Sequence, residues 1–214
     1  MVEYERADGV AVVTIDRPEA RNAIDRETAR GLRDAWERFE DDDGALVGVL
    51  TGAGGTFSAG ADLEKMDLEE TEDGWLGFTR KRVEKPTIAA VEGYCVAGGL
   101  EMALWCDLRV AAESATFGCF ERRFGVPLVD GGTQRLPRLV GRGRALDMIL
   151  TGRVVDAGTA LDWGLADRVT DGTPRVYADI QAAFDGAEDV ADAARRIADA
   201  DFEEFHEVYE DAGR

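Results

Sequence analysis

The side chains that could do chemistry in this chain are carboxylates. His206 is its one histidine, and Cys95, Cys106 and Cys119 lie in apolar surroundings without metal-ligand spacing. That leaves almost no room for Ser-His-Asp or Cys-His catalysis or for a histidine-rich metal site. No metal is expected, and the cysteines read as buried free thiols. The best-placed carboxylate is Glu101, in the stretch Lys85–Asp107, KPTIAAVEGYCVAGGLEMALWCD. Free backbone amides at Gly98 or Gly99, at the start of a helix, could hold a developing negative charge. A carboxylate three residues further on could move protons beside it. The competing reading of this stretch is a tight corner with a solvated Glu. A second carboxylate, Glu121, sits among Phe117, Phe120 and Phe124. Burial there would raise its pKa and favour proton donation. A surface ion pair with Arg122 or Arg123 is the alternative.

These groups need a scaffold. Thr87–Val91 is short, apolar and β-branched, as a strand buried on both faces should be. Gly93 breaks it, and Gly98 and Gly99 supply a tight turn. Leu100, Ala103, Leu104 and Leu108 then share one helical face. Upstream, Val2–Arg6 and Val10–Asp16 read as strands joined by an Asp8-Gly9 hairpin turn. Asp25 caps a helix running to about Glu40 that buries Leu32, Ala35, Trp36 and Phe39. Gly44, after Asp41–Asp43, ends it. Ala45–Leu50 is a buried strand. The loop Thr51–Leu63 is glycine-rich, but Phe57 stands where a dinucleotide fingerprint needs glycine, and no Walker lysine follows. Its better use is a second close backbone approach to a ligand, with the Ala61 N–H pointing inward. Leu63–Asp73 is charged and expected to be mobile, and Leu76–Val83 reads as helical. Leu108–Ala112 is a short strand. Helices are expected to open at Gly131-Gly132 and to span Arg144–Leu150 and Ala157–Gly164.

The chain has 214 residues, a length suited to one core. Its net charge is −19, from 44 acidic and 25 basic residues, and Lys65, Lys81 and Lys85 are its only lysines. Such a surface suits a high-salt cytoplasm, where self-repulsion is screened. It disfavours nucleic acid and anionic membranes as partners. No apolar run reaches spanning length and Met1–Val10 lacks a signal pattern, so a soluble, cytoplasmic protein is expected.

In order along the chain stand Asp16-Arg17-Pro18 with Asn22-Ala23, Phe57–Leu63, Gly93-Tyr94 through Cys106-Asp107, Phe117-Gly118 through Leu136, and Leu150-Thr151-Gly152-Arg153. Together these motifs resemble the enoyl-CoA hydratase/isomerase (crotonase) superfamily over roughly Val2–Val169. The resemblance implies an α/β, crotonase-like spiral of ββα units with C-terminal helices. It implies a core domain over 1–169 and a short acidic helical extension over 170–214 that serves as lid or in assembly. Homotrimers or dimers of trimers are the expected assembly. The implied substrates are acyl-CoA thioesters, with no separate cofactor because coenzyme A is part of the substrate. The family's oxyanion-hole amides fall on Ala61 and Gly98, and its two hydratase glutamates on Glu101 and Glu121. Positions contacting CoA fall on Arg21, Asn22 and Ala23 and on Ala59, Ala61, Asp62 and Leu63, with Gly98. Retention of both glutamates favours an enoyl-CoA hydratase over a Δ3,Δ2-enoyl-CoA isomerase. A non-catalytic acyl-CoA binder is the rival of another class. Ala97 replaces a common glycine, a change that is tolerated if its φ is negative. Phe120 replaces a frequent proline before Glu121.

Overall fold

The computed structural model describes residues 1–171. The expected helical extension lies almost wholly outside the described residues. The chain opens with β1 (Val2–Ala7) and β2 (Val10–Ile15), antiparallel across a two-residue turn. Asp8 and Gly9 both take positive φ, 47° and 83°, as a turn matched to strand twist requires. Helix α1 (Arg26–Asp41) follows, with the Asp25 side chain accepting from the Thr28 N–H. Leu32, Ala35, Trp36 and Phe39 are buried along one stripe, as the 3.6-residue period demands. Gly44 does not cap it: Asp42 takes the C-cap in extended conformation.

Strand β3 (Val47–Gly52) runs parallel to β2 and to β4 (Thr87–Val91), and β4 runs parallel to β6 (Leu108–Ala112). With β9 (Arg168–Thr170) they form a six-stranded sheet in the order β1-β2-β3-β4-β6-β9. Alternate residues face two separate cores. Leu50, Ala89, Val91 and Ala111 join the larger, and Val49, Ile88, Ala90 and Val110 the smaller.

A second sheet is small. It holds β5 (Tyr94–Val96), β7 (Thr116–Gly118) and β8 (Val155–Asp156), in the order β5-β7-β8. The sequence reading has only a glycine turn where β5 lies. The two sheets reveal the repeat. One long strand enters the large sheet, one short strand enters the small sheet, and a helix closes the unit. β4, β5 and α2 (Gly98–Trp105) make one such ββα unit; β6, β7 and α3 (Glu121–Phe124) make the next. The chain continues through α4 (Gly132–Val140), α5 (Arg142–Thr151) and α6 (Ala157–Trp163).

Three expectations fail locally. Leu76–Val83 is not helical: Gly77 sits at φ 90°, and a Cβ there would lie 2.0 Å from the Ala29 carbonyl oxygen. The segment is pressed against α1 as an irregular run that buries Leu76 and Phe78. Leu108 does not extend the α2 face; the helix ends at Trp105 and Leu108 is an exposed residue opening β6. The charged segment after Leu63 is tied down, with Lys65 paired to Asp25 and the Arg26 N–H and Nε bonded to Asp67.

Candidate active site

Glu101 lies in the first turn of α2 and is 2% exposed, so a solvated Glu is ruled out. Its carboxylate is seated by a turn some thirty residues away. Oε1 accepts from the N–H groups of Gly132 (2.7 Å) and Asp130 (2.9 Å), and Oε2 from Val129 (3.3 Å). Gly131, at φ 98°, turns the chain so that these amides converge. Burial pushes the Glu101 pKa up to about 7, against the Gly132 bond, with the charges of Asp130 and Glu121 adding to the rise.

Glu121 is the first residue of α3 and 8% exposed. Among the described residues, neither carboxyl oxygen is bonded by another residue. Burial pushes its pKa up to about 7 as well. The neighbouring arginines turn elsewhere. Arg122 Nε donates to the Leu150 carbonyl, and Arg123 donates to that of Gly152 while its guanidinium lies 3.6 Å from the Phe120 ring centroid. The surface ion pair is therefore absent. The expected aromatic shelter is only partial, since Phe124 is 62% exposed.

The loop that carries Ala61 passes close to the start of α2. Gly60, at φ 88°, passes so close to α2 that a Cβ there would lie 2.6 Å from the Gly98 nitrogen. Ala61 follows directly. Among the described residues, neither the Ala61 nor the Gly98 N–H has a partner. The segment that carries Ala61 is fixed on both sides: the Ile24 N–H donates to Gly60 O, and the Asp62 N–H to Ile24 O. Ser58 Oγ donates to Asn22 O and accepts from the Gly60 N–H. The tight backbone falls one residue earlier than the sequence suggests. Gly98 and Gly99 are helical, whereas Ala97 takes φ 53° and ψ −130°. The condition of a negative φ is not met, and such backbone is strained for a residue with a Cβ.

The expected CoA positions fall on two neighbouring loops, 21–23 and 59–63, and on Gly98. Arg21 is exposed, its guanidinium 5.7 Å from the Tyr94 ring, and Leu63 is exposed. Asn22 is buried, and its amide bonds Ala53 O and Thr56 O while accepting from the Arg17 N–H. The Asp62 carboxylate is taken by Arg17 and by the Glu64 and Lys65 amides. Arg17 also pairs with Asp25, so one half-buried guanidinium ties the 17–25 loop to the Ala61 segment. Ala23 is buried, and the Ala59 N–H donates to Arg21 O.

The sequence reading does not find Arg17 as an organiser or the 129–132 turn as the seat of Glu101. An isolated acid before two glycines, Asp130, was the available signal. The cysteines are free and buried. Among the described residues no group of three or more potential ligands could hold a metal ion, and no helix is long and apolar enough to cross a membrane.

Unit by unit, the ββα repeat with two buried carboxyls beside two unpartnered amides defines a class. The enoyl-CoA hydratase/isomerase family pattern matches residues 5–200, and the chain belongs to this family, the crotonase superfamily. It is 39% identical over 201 residues to the (E)-benzylidenesuccinyl-CoA hydratase of Thauera aromatica, covering 90% of this chain and 77% of that protein. It is 41% identical over 162 residues to the crotonyl-CoA hydratase of Syntrophomonas wolfei, covering 72% of this chain and 62% of that one. The chain thus spans less than two thirds of some curated relatives it matches. The crystal structure of a probable enoyl-CoA hydratase/isomerase from Mycobacterium abscessus superposes with a TM-score of 0.82 at 38% identity, over 91% of this chain and 79% of that one.

Proposed function

We propose that this protein is an enoyl-CoA hydratase, adding water to a 2-enoyl-CoA to give a 3-hydroxyacyl-CoA. The observation that carries the reading is the buried pair Glu101 and Glu121, both with pKa raised to about 7, close enough that the charge of one acts on the other. Near neutrality such a pair can hold one carboxylate and one carboxylic acid. Glu101, stabilised by three N–H groups, suits the base that takes a proton from water as its oxygen bonds to C3. Glu121, with no other described residue donating to its anion, suits the acid that delivers a proton to C2. The Ala61 and Gly98 amides would hold the thioester oxygen as it gains enolate character, at ~2.7–4 kcal/mol per donor.

Coenzyme A is proposed to lie along Arg21, Asn22, Ala23, Ala59, Asp62 and Leu63. Within that set the Arg21 and Leu63 side chains are open to contact, and Asn22 and Asp62 serve as scaffold. Assembly as a trimer or dimer of trimers remains part of the proposal, supported by the exposed apolar side chains Phe124, Leu146, Leu150 and Val154.

Incubation with crotonyl-CoA in high-salt buffer, with product identification, tests the reading. A 3-hydroxybutyryl-CoA product supports it. Turnover of 3-enoyl-CoA by double-bond migration without hydration would make the protein an isomerase. Binding without turnover of any enoyl-CoA would make it a carrier.

A further inference from the structure

Asp130 is 1% exposed and is bonded on three sides. Its N–H donates to Glu101 Oε1 at 2.9 Å. Its carboxylate Oδ1 accepts from the Trp75 N–H at 2.9 Å and from the Thr79 hydroxyl. Its carbonyl accepts from Arg135 Nη1 at 2.7 Å, and Nη2 of the same guanidinium donates to Thr79 O. Between Trp75 and Thr79 lies Leu76, whose Cδ1 would be 3.1 Å from a Cβ placed on Gly98. One buried acid thus joins the turn that seats Glu101 to the loop that lies over Gly98.

We propose that Asp130 is a positioning residue for Glu101, fixing the 129–132 turn by clasping the 75–79 loop and so holding the carboxylate and the Gly98 amide in one register. The inference rests on the reading of Glu101 as the base. A purely structural acid would be served as well by neutral Asn, which can accept both Oδ1 bonds. The charge has a separate effect. The groups acting on Glu101 are Asp130 and Glu121, which oppose its ionisation, Arg135, which favours it, and Cys119, whose thiol is pushed up to about 12 by burial and stays neutral. Asp130→Asn removes one opposing charge and keeps the bonds.

The test follows the Glu101 carboxyl by difference infrared spectroscopy on the full chain without substrate, with Glu101→Gln to assign the band. In the parent protein it should titrate at about 7. In Asp130→Asn the titration should move down by roughly 0.5–1 pH unit, the scale of one nearby charge. In Asp130→Ala, which loses the clasp as well as the charge, it should lie above that of Asp130→Asn, because the loosened amides hold the Glu101 anion less well; equal titrations in the two folded variants overturn the proposal. Thr79→Val supplies an independent arm that does not require Asp130→Asn to fold. Losing the hydroxyl should speed hydrogen exchange of the Asp130 and Gly132 amides several-fold, and unchanged exchange likewise overturns the proposal. Neither readout uses turnover, so a failure to hydrate crotonyl-CoA would count against the proposed function and leave this test standing.

Discussion

Glu101 and Glu121 are two buried carboxyls that differ in their donors. Three backbone N–H groups of the 129–132 turn meet Glu101, whereas among the described residues no other residue donates to Glu121, whose own N–H alone favours its anion. Burial raises both, yet only Glu101 has a seat for its anion. That difference separates a base from an acid with the same side chain, and it sets what each substitution should do.

The first consequence is for stability. The Glu121 pKa rises from 4.5 unfolded to about 7 folded, so the folded state binds the proton more tightly. The stabilisation is fully present below the unfolded value and is lost as pH rises through the folded one. Above about 7 the buried anion has no partner. Glu121→Gln should therefore raise the stability at about pH 8 by on the order of 1–3 kcal/mol, seen as a higher melting temperature, with the gap closing by about pH 5. Melting curves across this range check it; a variant less stable at the alkaline end contradicts the burial argument.

Ala97 carries a second prediction. At φ 53° and ψ −130° its backbone costs of order 1–3 kcal/mol. Glycine relieves that strain, less about 0.4–1 kcal/mol for its greater freedom unfolded. Ala97→Gly should stabilise the fold by roughly 1 kcal/mol, read from denaturant midpoints. A lower midpoint would show that the methyl, beside Gly60, contributes more through packing than its strain costs.

Gly98 is the first residue of α2, a position that tolerates proline. Gly98→Pro removes the N–H and activity should collapse, but its ring would press on Leu76 and Gly60, so the fold must be checked. Circular dichroism establishes whether the variant is folded, and full turnover by a folded variant removes Gly98 from the oxyanion hole.

The charge of −19 with three lysines predicts a salt response. Screening should raise the melting temperature between low and molar KCl. A midpoint that is flat or falls with salt argues against a high-salt setting.

What the sequence made legible was local. Helix α1 announces itself by apolar period, Thr87–Val91 by a continuous apolar run, and Asp25 by its cap position. Strands of two or three residues, β5, β7 and β8, are too short for any period and exist through pairing with distant partners. Leu76–Val83 misleads because apolar spacing alone cannot register Gly77 at φ 90° against α1. The site shows the same division. Glu101 and Gly98 are near in sequence and were read together, whereas the turn that seats Glu101 lies 28–31 residues on. Arg122 and Arg123 are plausible partners for Glu121 by sequence, and only the placement of Leu150 O and Gly152 O draws them off.

The most direct measurement is crotonyl-CoA hydration by Glu101→Gln, Glu121→Gln and the double variant. Each single change should cut kcat by roughly 10²–10⁴. KM should change far less, and the double variant should be little worse than either, because the pair acts on one water as a unit. A folded Glu121→Gln protein hydrating crotonyl-CoA at near the parent rate would contradict the account and leave Glu121 as a buried acid without a part in the chemistry.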